Sequence, residues 1–173
     1  YPNDARAYNN VAMIAYEQGR YDVASDYAAK ALKVNSKQPE ANANQGLLAL
    51  MQGDMIAAEN YIAKAGEANG LAEVLGNLHL AQGKYALAEQ DFSKVDSNSA
   101  ALAQILNKNY SKAATTLKNV KNADAMTDYL KAILAARTGK QTEAAAALSQ
   151  AIAKDPSLSE YAKKDLELVK VQK

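Results

Sequence analysis

The sequence predicts an all-α fold, an α-α superhelix of four to five helix pairs closed by a C-terminal capping helix. Three observations carry this. The composition favours helix over strand, with abundant alanine, few β-branched residues and only three prolines in 173 residues. Small and apolar residues recur at helical spacing through Ala5–Ser36, which reads as two amphipathic helices joined at Gly19-Arg20-Tyr21. The same pattern returns in Pro39–Gly66, in Asn69–Val95 and in Ala125–Pro156. Helix pairs repeated in this way stack on one another into a solenoid with one continuous core.

The first unit, 5–38, has helix A over Ala5–Gln18 and helix B over Tyr21–Val34, with Asn3 or Asp4 as the N-cap. It carries Tyr8-x-x-Val11-Ala12-x-x-Ala15, then Gly19-x-Tyr21, then Ala24-x-x-x-Ala28, Ala31 and Ser36. Small residues at Ala12, Ala24 and Ala31 let the two helices approach closely, and a bulkier seam would cost ~1–3 kcal/mol. Gly19 suits a left-handed turn that stops helix A, a conformation costly for a residue with a Cβ. This arrangement resembles the tetratricopeptide repeat, and the chain as a whole is similar to such segments in bacterial envelope-associated proteins.

The later units follow in register. Asn35–Gln38 makes a turn and Pro39 opens the second unit, 39–68, where its missing N–H costs little. Gly19 to Gly53 is 34 residues. Gln45-Gly46, Ala49, Ala58, Ile62 and Ala65 fill the pattern, with Asn42 in the aromatic slot and Met55 in the place of Tyr21. The third unit, 69–96, has Leu75-Gly76, Gly83-Lys84-Tyr85, Ala88, Phe92 and Val95. Gly53 to Gly83 is only 30 residues, so one turn is missing between Lys64 and Leu71, where Gly66 and Gly70 mark a short helix B and a tight turn. The fourth unit, 97–121, keeps Asn109-Tyr110, Ala113, Leu117 and Val120, with a short helix A over Ser99–Asn107 and a turn at Lys108-Asn109. It reads as a helix pair or, alternatively, as an irregular linker between two solenoid halves. The fifth, 122–156, recovers Ala132, Ala135, Gly139, Ala144, Leu148, Ala151 and Pro156, with helix A over Ala123–Thr138. Asp128 and Lys131 fall in slots that are apolar elsewhere, which leaves its register open by one residue. In 157–173, Ser157-x-x-Glu160 reads as a capping box for a helix over Leu158–Val171. Its apolar stripe is Leu158, Tyr161, Ala162, Leu166 and Val169, with Lys163, Lys164, Glu167 and Lys170 off it.

Composition narrows the function. Twenty basic against 19 acidic residues give no electrostatic case for nucleic acid. The absence of cysteine removes disulfides, thiolate zinc sites and cysteine catalysis. No apolar run approaches the ~18 residues of a span, so this chain is not expected to insert into a membrane. The one histidine, His79, falls where helix A packs on helix B and reads as a core or half-buried side chain; Glu73, six residues away, is off its face. With no phosphate-binding loop and no nucleophile elbow, neither a cofactor nor catalysis is expected. Tyr21, Tyr85 and Tyr110 recur after the helix A–helix B turn and read as packing, whereas Tyr8, Tyr16 and Tyr129 either pack between units or face outward. The chain opens at Tyr1 without Met and reads as a piece of a longer protein, whose targeting segment would lie outside it. Its compartment is open; the resemblance favours the bacterial cell envelope, periplasmic or outer-membrane-associated, over the cytoplasm.

What the resemblance implies is a concave groove, lined by the A helices, that takes a protein or peptide. At helical spacing, Asn9, Met13, Tyr16 and Glu17 share a face of the first A helix, Ala43, Leu47, Leu50 and Met51 of the second, and Glu73, Asn77 and Leu80 of the third. Chaperone-binding members of the family use a Lys/Asn/Arg clamp for a terminal carboxylate. Here Asn9 is followed by Met13, and Ala43 and Leu47 occupy the next helix, which argues against such a ligand. The floor is instead apolar, and Met suits an adaptable surface. The expected function is a non-catalytic interaction scaffold binding an apolar or amphipathic segment. The alternatives are an architectural spacer, with the strip buried internally or against other domains of the full-length protein, and a glycan-binding scaffold, which the lack of Trp disfavours.

Overall fold

The structure, a computed structural model, describes residues 3–66, 68 and 70–171. Tyr1 and Pro2 of the leading segment, Asn69 at the expected start of the third unit, and Lys173 at the end of the chain lie outside them. Among the described residues the chain forms eleven helices and no strand. They are α1 (Ala5–Glu17), α2 (Tyr21–Val34), α3 (Pro39–Met51), α4 (Met55–Ala65), α5 (Leu71–Ala81), α6 (Tyr85–Asp91), α7 (Asn98–Leu106), α8 (Tyr110–Asn119), α9 (Ala125–Arg137), α10 (Gln141–Lys154) and α11 (Leu158–Lys164).

Two compact units divide the chain, Tyr1–Lys84 and Tyr85–Lys173, so α5 belongs to the first and α6 to the second. In the first, α1 pairs with α2 and α3 with α4, α3 packs back on both α1 and α2, and α5 packs on α3 and α4. In the second, α7 pairs with α8 and α9 with α10, α6 lies on α7, and α11 closes the end against α10.

Alanine makes the seam of each pair. Ala12 and Ala24 are 1% exposed, and Ala58, Ala113, Ala132 and Ala144 are fully buried. Gly46 carries this furthest: a Cβ there would stand 2.9 Å from Ile62 Cγ1 on α4. Each helix A then stops in the same way. The N–H groups of Arg20, Asp54, Lys84, Asn109 and Lys140 donate to the carbonyls of Ala15, Ala49, His79, Gln104 and Ala135 at 2.8–2.9 Å. This bond needs a left-handed residue just before the donor. Gly19, Gly53, Gly83 and Gly139 supply it with φ of 72–77°, and Lys108 supplies it in the fourth pair with φ 61°. The fourth unit is therefore a helix pair and not an irregular linker.

Local chemistry sets the other boundaries. Asp4 caps α1 by accepting from the N–H groups of Arg6 and Ala7, and Pro39 occupies the first turn of α3. Asn42, in the aromatic slot, is buried because its amide donates to the carbonyls of Ser36 and Gln38, tying α3 to the turn before it. Gly66 and Gly70, both at positive φ, end α4 and begin α5. The fifth unit keeps its aligned register despite its charges. Asp128 is 4% exposed and pairs with Lys154 at 2.6 Å and Lys131 at 3.6 Å. Asp124 and Thr127 form a capping box at the start of α9.

The last helix differs from the expectation. It ends at Lys164 instead of Val171, and Ser157 makes no capping box. Ser157 donates both its N–H and its hydroxyl to Asp155 Oδ1, so the side chain that would cap the helix is held by a local Asx turn. Beyond Lys164, Asp165 accepts the Tyr129 hydroxyl at 2.6 Å and Glu167 pairs with Arg137. These bonds hold the segment in a non-helical course. Leu168 is thereby buried, whereas Tyr161, Leu166 and Val169 of the expected stripe are exposed.

Two substitutions test this description. Lys108→Gly removes a left-handed strain of ~1–2 kcal/mol at an exposed position and should stabilise the protein by ~0.5–1 kcal/mol net of the added chain entropy, read as a higher denaturation midpoint. Ala58→Leu should destabilise by ~1–3 kcal/mol, because the seam has no room for the added carbons; an unchanged midpoint would mean that the pair is not packed through Ala58.

Candidate interaction groove of the first unit

The candidate residues all lie in the first unit, on α1, α3 and α5. The three helices are brought side by side because α3 packs on α1 and α5 packs on α3. The repeated turns at Gly19, Gly53 and Gly83 fix where each helix stops, so Tyr16, Leu50 and Leu80 stand at the same place, three residues before the turn glycine.

The residues divide into two groups. Met51 is 50% exposed, Glu17 and Glu73 are exposed, and Met13, Tyr16, Leu47, Leu50, Asn77 and Leu80 are half-buried. Leu47 and Leu50 rest on the core formed by Ala49, Ala58, Ile62, Val74 and Leu78 while keeping part of their surface open. Asn9 and Ala43, by contrast, are 6% and 2% exposed. Asn9 accepts a 2.7 Å hydrogen bond from the Asn44 amide, and Ala43 packs with Ala65 and Ala68. Both lie in the joints between helices and add nothing to the open surface.

Tyr16 links the faces. Its ring lies 5.4 Å from that of Tyr21, and its hydroxyl is held above the ordinary tyrosine pKa, first by burial, then by Tyr21 and by the Glu73 carboxylate. The other open aromatics of the sequence pack: Tyr8 lies against Tyr27, and Tyr129 is buried against Tyr161. Tyr21, read as packing, is 45% exposed on its other side.

Arg6 and Glu40 were missed by the sequence reasoning. They precede Asn9 and Ala43 by three residues, and that helical spacing was the signal that placed them on these faces. With Asp4, Asn10 and Gln38 they line an open cleft of about 1050 Å³ where α1 and α3 begin. His79 is half-buried on α5. Among the described residues no group of three or more His, Cys, Asp or Glu is placed to hold a metal ion, and no helix is long and apolar enough to cross a membrane.

The sequence model of the tetratricopeptide repeat family matches residues 9–73. No curated protein matches the chain. Among solved structures, PilF of Pseudomonas aeruginosa is 19% identical with a TM-score of 0.67, over 99% of this chain and 82% of that one. PilW, a type IV pilus biogenesis factor, is 20% identical with a TM-score of 0.67, over 99% and 84%. YrrB, a tetratricopeptide-repeat protein with an unusual peptide-binding site, is 20% identical with a TM-score of 0.59, over 94% and 93%. At such identities the likeness is one of fold. Residues 9–73 thus match the tetratricopeptide repeat family, and the helix pairs of the chain are folded as in solved tetratricopeptide-repeat proteins.

Proposed function

We propose that the protein is a non-catalytic interaction scaffold whose first unit binds an apolar or amphipathic segment of a partner protein across α1, α3 and α5. The observation that carries this is the state of α3: Met51 is 50% exposed, and Leu47 and Leu50 beside it keep open surface in the middle of the three helices. Apolar side chains left open together on one face mark interaction sites. The peptide-binding site named for the structurally similar YrrB supports the same use of the fold. Met13, Tyr16 and Leu80 extend the floor, and Asn77 offers an amide to the bound backbone. The likeness to PilW, a type IV pilus biogenesis factor, supports a place at the bacterial cell envelope.

The spacer reading has one observation in its favour, the burial of Asn9 and Ala43 and the partial burial of Leu47. Leu47→Glu separates the two. In a binding site the carboxylate stays hydrated in the free protein and is desolvated on complex formation. The melting midpoint should then hold to within about 1 kcal/mol of stability, while an apolar helical peptide that binds the parent is no longer retained. A spacer would lose ~3–5 kcal/mol from an unpaired buried charge and would have no peptide to lose.

A further inference from the structure

The groove is apolar in its floor and acidic at its margins. Glu17 closes α1 and Glu73 lies in the first turn of α5, and both are exposed. Among the described residues neither makes an ion pair. The Glu73 carboxylate also adds, after burial and Tyr21, to holding the Tyr16 hydroxyl above the ordinary tyrosine pKa. Arg6 and Glu40 stand apart from this margin, in the cleft where α1 and α3 begin. A negative margin around apolar side chains favours one sign of partner and repels the other.

We propose that the occupant of this groove is a basic amphipathic segment, its apolar face on Leu47, Leu50 and Met51 and its Lys or Arg side chains beside Glu17 and Glu73. This rests on the groove reading and adds the charge of the partner. The apolar face supplies contact area, and the flanking cations set orientation and exclude acidic segments. The pairs sit at the solvent-exposed margin, so their effect depends on ionic strength and fades as the screening length shrinks below ~10 Å.

The test uses three synthetic helical peptides with one identical leucine–alanine face and flanks of lysine, glutamine or glutamate. Each is titrated into the full chain at low and at high salt. The lysine peptide should bind at least tenfold more tightly than the glutamate peptide at low salt, with the glutamine peptide between them and the gap closing at high salt. Glu17→Lys with Glu73→Lys should reverse the order. The milder pair Glu17→Gln with Glu73→Gln should level it, and it serves as the readout if the reversed variant does not fold. Equal binding of all three peptides, abolished by Leu47→Glu in each case, would overturn the charge assignment and leave the groove standing. A preference for glutamate, or an order unmoved by either pair, would also overturn it. Failure of all three peptides to bind the parent would overturn the groove itself.

Discussion

Everything else in this protein depends on how closely the two helices of a pair approach. Residues of almost no side-chain volume set that distance: Gly46 lies against Ala58 and Ile62, Ala15 shares a core cluster with Ala24, and Ala132 and Ala144 are fully buried. Dispersion falls steeply with separation, so backbones that nearly touch recover in contact what methyl groups lack in area. The close seam is coupled along the chain to a short, tightly bonded turn that sets the second helix beside the first. A left-handed residue and the bond that follows it recur in all five connections.

That coupling explains why much of the fold was legible in the sequence. A glycine followed by a small residue five positions later, Gly19 and Ala24 or Gly139 and Ala144, states both seam and turn. The pattern survived the loss of one helical turn before Leu71 because a deletion there shortens α4 without touching the seam. It survived Lys108 as well, since the left-handed conformation is disfavoured for lysine but not forbidden. The last helix was misjudged for a specific reason. Ser157 and Glu160 have capping-box spacing, but Asp155 stands two residues earlier and captures the serine first. Tertiary bonds from Tyr129 and Arg137 then decide the course of the chain beyond Lys164, and no local pattern announces those.

The proposed groove was less legible than the fold. Helical spacing assigns residues to a face, but in a solenoid one face is shared between the open surface and the next helix. Asn9 lies at the covered edge, where Asn44 bonds to it, and Met13, four residues on, lies toward the open side. Ala43 and Leu47 divide in the same way. A single sequence gives the period of the helix but not the angle at which its neighbour is laid against it. Arg6 and Glu40 were passed over for a related reason: charged residues near a helix start look solvated, and only the structure shows them lining a cleft.

A seam built of methyl groups also has a thermal consequence. The heat capacity released on unfolding comes mainly from apolar surface newly exposed to water, and an alanine uncovers little of it compared with leucine or phenylalanine. Cohesion that rests on close backbone approach therefore gives a shallow stability curve, in which the balance between folded and unfolded chain changes slowly from cold to warm. An alanine seam in a helix pair thus favours breadth of the stability curve over the height of its peak.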